Sequence, residues 1–399
     1  MLLEQFILIG IIILVGAIIL SLRRKAHGSR TGYKLVLVLL GLLLGISSIG
    51  NSPLFRFDSY FLKDFAVFLL IVLLFELSVR LNSDNITLTF ESVGMFFTIL
   101  LLNILLLGIL TTFLISVPFM QGVICAIILS SIEYFLVNQL KSEGDLANPL
   151  LLFFAFSMLV FYSLDGNVFD NVIYFIKYIV IGLGIGVMIG IIVFRSLRNQ
   201  YITPTNELAL VAVAVLTYIV AEQLAGSGLF AVMVLGTFFG NSYVRKTTSM
   251  YKFSPFIFKT LEMLIFLMIG FVVVITFKNG LWWRALVLFL AYLLLRLLVL
   301  RLFYRNYSID NILLLAFAPK GMILGVTILV FGVYGTVSAD LLTTMVFILL
   351  YSLIAGIFVE YIEQQKTLRL DQTLKSAMTI RLGHKRNILR RHVHKKSSN

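Results

Sequence analysis

Cysteine is nearly missing from this chain, and the one present, Cys125, excludes an intrachain disulfide framework. Charge is scarce as well: 13% of the residues are charged, 60% are hydrophobic and the mean hydropathy is +1.03. A water-soluble domain cannot be built from that mixture, so the chain reads as an all-α polytopic membrane protein. Histidine occurs four times, as His27, His384, His392 and His394, all in basic loops or the tail. The HVH triplet among them is too short to form a zinc site alone. There is no phosphate loop and no HExxH pair. No constellation of His, Asp, Ser or Cys gathers at an interface, so the sequence argues against an enzyme and calls for no cofactor.

What is present is a succession of apolar runs. They fall at roughly 5–22, 33–50, 60–79, 93–116, 120–140, 149–164, 171–194, 205–224, 228–242, 254–277, 280–300, 309–334 and 339–360. That makes about thirteen spans, the shortest being 149–164 and 228–242. The sequence divides into a transmembrane domain, 1–361, and a basic cytoplasmic tail, 362–399. The opening MLLEQF carries an acid where a signal peptide carries bases, and no A-x-A site follows, so it reads as a retained first helix.

The net charge is +13. Arg23, Arg24, Lys25, Arg30 and Lys34 crowd the first loop, and Arg195, Arg198, Arg245, Lys246, Lys252, Arg301 and Arg305 fall on the same side as the tail. By the positive-inside rule the N-terminus is outside and the C-terminus cytoplasmic, in a cell membrane. The tail sequence RNILRRHVHKK suits contact with anionic membrane lipid, not nucleic acid.

Few charged residues lie inside the spans or at their edges: Glu76, Glu133, Asp165, Glu222, Glu262, Arg296 and Lys320. Glu76 suits a snorkelling or capping role as well as a functional one. Asp165 and Glu222 stand near outer boundaries and read as solvated. Glu262 is one turn into its helix and can pair with a neighbour. Glu133 and Lys320 are deeper, where an ionisable group is functional by default.

Both deep residues adjoin helix-breaking chemistry: Ser130-Ser131-Ile132-Glu133 and Ala318-Pro319-Lys320-Gly321. Broken helices in corresponding positions of two halves point to a transporter binding site. The two breaks are seven spans apart, as two inverted six-helix repeats behind one extra N-terminal helix would place them. The glycines Gly182, Gly184, Gly186 and Gly190 lie inside a span and read as helix packing, not as a phosphate loop.

Several segments resemble the monovalent cation:proton antiporters of the sodium/proton exchanger type, over nearly all of residues 5–360. GLLLGISSIGN is similar to the glycine-rich second-helix motif of that family, and LFELSVRLN to its LFDGGLRLD. AEQLAGSGLFAVMVLGTFFGN, residues 221–241, resembles AELLGGSGFLAVYLAGLVLGN and is the most specific match. EMLIFLMIGFVV is similar to the segment that follows. The resemblance places Arg296 at the family arginine and Lys320 at the basic position of its LRG or PRG motif. It places Ile132 and Glu133 where the family has Thr-Asp. Of the family's ESxxNDP, EGDLANP keeps Glu143 at the glutamate, with Ala147 at the asparagine and Asn148 at the membrane aspartate, which is thereby replaced.

The resemblance implies exchange of Na+ or K+ for H+ by alternating access, in a homodimer whose core bundles move against a scaffold. A buried carboxylate can hold either a proton or a cation, which couples the two flows. Glu133 is the candidate, with Ser130, Ser131 and Asn148 as neutral oxygen ligands and Lys320 as charge compensation. The family comparison suggests a structural ion pair between Glu143 and Arg296. The alternatives are a transport-inactive or regulatory homologue, with Glu133 held by Lys320, and an uncoupled channel.

Overall fold

In hydrocarbon only a helix or a closed barrel satisfies the backbone, and this chain uses helices. The computed structural model describes residues 10, 30–46, 48–49, 52–53, 57–79, 98, 100–131, 155–157, 168–197, 204–242, 254–272, 280–303, 312, 316–317, 321–362 and 365. The first helices are α1 (Arg30–Ile46) and α2 (Ser59–Val79). Next comes α3, a π turn at Asn103–Leu107 that continues as Gly108–Ile115, followed by α4 (Phe119–Leu129). Then come α5 (Val168–Leu197), α6 (Pro204–Gln223), α7 (Gly228–Ser242) and α8 (Ser254–Val272). The last are α9 (Leu281–Phe303), α10 (Met322–Tyr334) and α11 (Ala339–Ile362).

Every one of these helices falls within or overlaps an expected apolar run. Asp170–Val193, Leu281–Leu302 and Ala339–Ile362 are long and apolar enough to cross a membrane unaided; the other apolar helices are shorter. The first expected span lies outside the described residues except for Gly10, and the 149–164 run is described only at 155–157. One departure from pure helix is a two-residue antiparallel bridge after α1, in which Ser48 faces Pro53 and Ile49 faces Ser52. The sequence between the two strands, Gly50-Asn51, is of a turn-forming type.

Packing follows small residues. Helices in lipid gain little from burying apolar surface, so they associate where backbones can approach closely. A Cβ on Gly270 of α8 would lie 2.0 Å from the Gly41 carbonyl carbon of α1, and one on Gly41 would lie 2.1 Å from Leu267 O. Gly240 of α7 stands likewise against Val79 O of α2, at 2.2 Å. In the glycine run of α5, Gly182 meets Ser227 O and Gly186 meets Ala231 O, both at 2.5 Å, whereas Gly184 meets nothing within 4 Å. The packing reading therefore holds for one face of that run and not for Gly184.

These crossings sort the helices into two groups. One contains α1, α2, α5, α6, α7 and α8. In the other, α3 packs on α4 and α9, α11 meets α9 through Phe289 and Tyr351, and Ser338, just before α11, donates its amide to Gln121 of α4. Helix α10 lies between them, touching α2 and α8 on one side and α4 on the other. Outward-facing apolar side chains such as Phe113, Leu294 and Phe358 remain exposed, as lipid-facing positions should.

The backbone crossing of α1 and α8 yields a prediction. Gly270→Ala should lower stability by about 1–3 kcal/mol, the usual result of overpacking. Gly184→Ala, with open space around it, should leave the thermal unfolding midpoint of the detergent-solubilised protein unchanged or slightly raised. Equal midpoints for the two variants would contradict the crossing.

Candidate ion site

The site is built on a helical hairpin. Helix α3 ends at Ser116, whose φ of 61° puts it in the left-handed region, and Pro118 then starts α4 in the opposite direction. Gly122 holds the two arms together: its Cβ would lie 2.5 Å from Gly108 O and 2.7 Å from Thr112 Oγ1. Further along, this antiparallel register brings Asn103 of α3 beside Ser130.

Helix α4 stops where the two serines were expected to break it. The Ser130 amide donates to both Ala126 O and Ile127 O, each at 3.1 Å, and the Ser131 amide donates to Ile128 O at 3.0 Å. The last turn is thus tightened from the α pattern toward i→i−3 bonds. The Ser130 hydroxyl donates to Ala126 O at 2.9 Å and accepts from Asn103 Nδ2 at 2.9 Å. Ser130, Ser131 and Asn103 are all 2% exposed, so this polar cluster lies within the bundle. The end of α4 also carries the negative pole of the helix dipole, which favours a cation.

The second break is seen from its far side. Gly321 has φ −118° and ψ −136°, outside the helical region, and α10 begins at Met322, with Gly325 N donating to Gly321 O at 3.1 Å. Gly321 and Met322 are buried, and α10 touches α4. Of the candidate ion-site and ion-pair residues, Ser130, Ser131 and Arg296 can be placed. Glu133, Glu143, Asn148 and Lys320 lie outside the described residues.

Arg296 is 3% exposed on α9. Its guanidinium donates to the Tyr292 hydroxyl one turn earlier and lies 5.8 Å from that ring's centroid. Among the described residues its Nε has no hydrogen-bond partner. A buried guanidinium is stabilised only when its donors are met, so this Nε calls for an acceptor.

Two of the span-edge acids, Glu262 and Glu222, have definite partners, and Asp165 lies outside the described residues. Glu262 pairs with Lys34 at 2.9 Å, and the same ammonium lies 5.6 Å from the Phe266 ring centroid. Glu222, expected to be solvated, is exposed but also accepts from Tyr178 OH at 3.1 Å and from the Gly228 amide at 2.9 Å, where α7 begins. It is therefore a cap for that helix as well as a solvated acid.

Two contributions were not anticipated. Asn103 is the one strongly polar side chain in the apolar run LLNILLLGIL, and that isolation was the available signal. Glu360, at the end of α11, was overlooked because it stands where an acid is ordinarily solvated. It is 8% exposed and caps the start of α1. Both its carboxylate oxygens accept the Thr31 amide, at 3.0 and 3.2 Å, and Oε1 accepts the Thr31 hydroxyl at 2.6 Å. This contact ties the two helix groups together at the end where Lys34 pairs with Glu262.

Glu360→Ala should therefore destabilise the protein by about 2–3 kcal/mol, as expected when charge-assisted bonds to a buried helix end are lost. Thr31→Ala, which keeps the amide donor, should lower stability by about 1 kcal/mol. Thermal unfolding in detergent measures both, and a wild-type midpoint for Glu360→Ala would contradict the cap.

No curated relative matches the sequence. Among solved structures, the sodium proton antiporter MjNhaP1 of Methanocaldococcus jannaschii at pH 8 superposes with a TM-score of 0.67 at 16% identity, covering 90% of this chain and 96% of that one. An electron-microscopy structure of the same antiporter gives a TM-score of 0.69 at 15% identity over the same shares. At such identity the likeness is one of fold: this is a helical membrane protein with the architecture of a polytopic antiporter. The family described as "Sodium/hydrogen exchanger, transmembrane" matches residues 10–362. The chain belongs to the sodium/hydrogen exchanger family, a family of transporters and not of enzymes.

Proposed function

We propose that this protein exchanges a monovalent cation, Na+ or K+, for protons across the cell membrane by alternating access. The observation that carries the reading is the interruption of α4 at Ser130 and Ser131, buried against Asn103 and three residues before Glu133 in sequence. Glu133 is the group that takes up either a proton or the cation. A carboxylate among apolar helices resists ionisation until a cation arrives, so the two ligands compete for it. Ser130, Ser131 and Asn148 supply neutral oxygens, and Lys320 balances the carboxylate when the site is empty. Glu143 meets the guanidinium of Arg296, whose Nε calls for an acceptor.

The remaining architecture belongs to the same reading. About thirteen spans form two inverted six-helix repeats behind a first helix. The N-terminus is outside, the tail from 362 lies on anionic lipid in the cytoplasm, and two copies form a dimer. The group holding α3, α4, α9 and α11 moves as the core, with α10 sliding on the α1, α2 and α5 to α8 scaffold.

In proteoliposomes with a trapped pH dye, Na+ or K+ should collapse an imposed pH gradient, and Glu133→Gln should abolish this at unchanged protein yield. A wild type that leaves the gradient intact points to a regulatory homologue, and single-channel currents point to a channel. With Asn148 in place of the second acid, turnover should be electroneutral. A membrane-potential dye that reports charge movement would contradict one-for-one exchange.

A further inference from the structure

The π turn of α3 has no role in the scheme above, yet it governs how Asn103 meets the break in α4. In an α-helix the Gly108 amide would bond to Ile104; here it donates to Asn103 O, five residues back. The extra residue in the turn rotates the helix before it relative to the helix after it. Such single turns are concentrated at functional positions. At this one the rotation leaves Asn103 buried and aimed at Ser130.

The orientation of the amide follows from the bonds at Ser130. A hydroxyl has one proton, and that of Ser130 is engaged with Ala126 O. Towards Asn103 the serine can only accept, so the asparagine must present Nδ2, as it does at 2.9 Å. That leaves Oδ1 as the acceptor end of the same rigid amide. A hydrogen bond serving only to hold α3 against α4 needs the donor alone; an amide also carries a hard, neutral oxygen to the negative end of α4. Neutral oxygens beside the C-terminal end of a half-helix are what an alkali cation requires.

We propose that Asn103 is a cation-binding residue, its Oδ1 contributing to the coordination of the transported ion next to the oxygen of Ser130. The proposal rests on the exchange reading of the Ser130–Glu133 break, and its test separates the two. Purified full-length wild type, Asn103→Leu and Asn103→Asp are heated in NaCl, KCl or choline chloride at alkaline pH, and the same preparations are assayed for exchange. Leucine keeps the branched shape and removes both the oxygen and the donor; aspartate keeps an oxygen at that position and loses only the donor to Ser130.

Na+ or K+ should raise the wild-type unfolding midpoint over choline, fail to raise that of Asn103→Leu and raise that of Asn103→Asp. In exchange, Asn103→Leu should raise the KM for the cation at least tenfold with a smaller change in maximal rate, whereas Asn103→Asp should keep the KM near wild type. A packing role predicts the reverse, because aspartate breaks the bond to Ser130 and buries a charge. The proposal is overturned if Asn103→Leu keeps both the cation-dependent shift and the KM, or if neither salt shifts the wild type. It is also overturned if Asn103→Asp loses the cation-dependent shift, and that arm decides the matter should Asn103→Leu fail to fold. A cation-dependent shift in the wild type that Asn103→Leu removes, with no exchange by any form, upholds the ligand and overturns the exchange reading instead.

Discussion

A helix that ends inside hydrocarbon strands its last carbonyls where no water can bond them, and the rest of this structure answers to that constraint at α4. A chain avoiding the problem would run the helix on to the surface. Here the last turn tightens, Ser130 returns its own hydroxyl to Ala126 O, and Asn103 is brought in from α3. Among the described residues, the carbonyls of Ala126, Ile127 and Ile128 are thus bonded. That is the condition under which irregular backbone survives at membrane depth. The same bonds bring a hydroxyl and a side-chain amide together at the buried end of α4.

The glycine crossings explain how a rigid frame can surround such a point. Where α1 meets α8 and α7 meets α2, backbone touches backbone, and nothing larger than hydrogen fits between them. Those contacts fix one helix group as a unit. Among the described residues, its links to the other group include the sides of α10 and the polar contact of Glu360 with Thr31 at one end. Hydrogen bonds at a helix end can be exchanged for water, whereas a backbone-on-backbone crossing has no such substitute.

Much of the fold was legible because hydropathy, charge and breaker residues report directly on lipid. The runs that became α2, α6, α7 and α11 coincide closely with their helices, and the serine pair marked the end of α4. The start of α10 at Met322 follows the Pro-Lys-Gly run for the same reason. The pairing of Glu262 was foreseen as an option, and Lys34 supplies it. What stayed hidden depends on side-chain geometry across long sequence separations. No periodicity announces that Glu360 will reach Thr31, 329 residues away, or that one π turn will redirect Asn103. Glu222 was read by its position alone, and position does not reveal that a carboxylate beside a Gly-Ser-Gly turn will cap the helix that follows. The family resemblance carried the fold further than the chemistry, since the fold depends on many tolerant apolar positions and the ion site on a few polar ones.

The central claim is competition between a proton and a cation for one carboxylate, and the pH dependence of cation affinity tests it most directly. With solid-supported membranes or dye-loaded vesicles, the KM for Na+ or K+ is measured at successive pH values under symmetrical conditions. The account predicts that below the pKa of Glu133 the KM rises by about tenfold for each unit of acidification while the maximal rate reached at saturating cation changes far less. A KM that stays constant across the active pH range would contradict it, because the proton and the cation would then occupy separate sites.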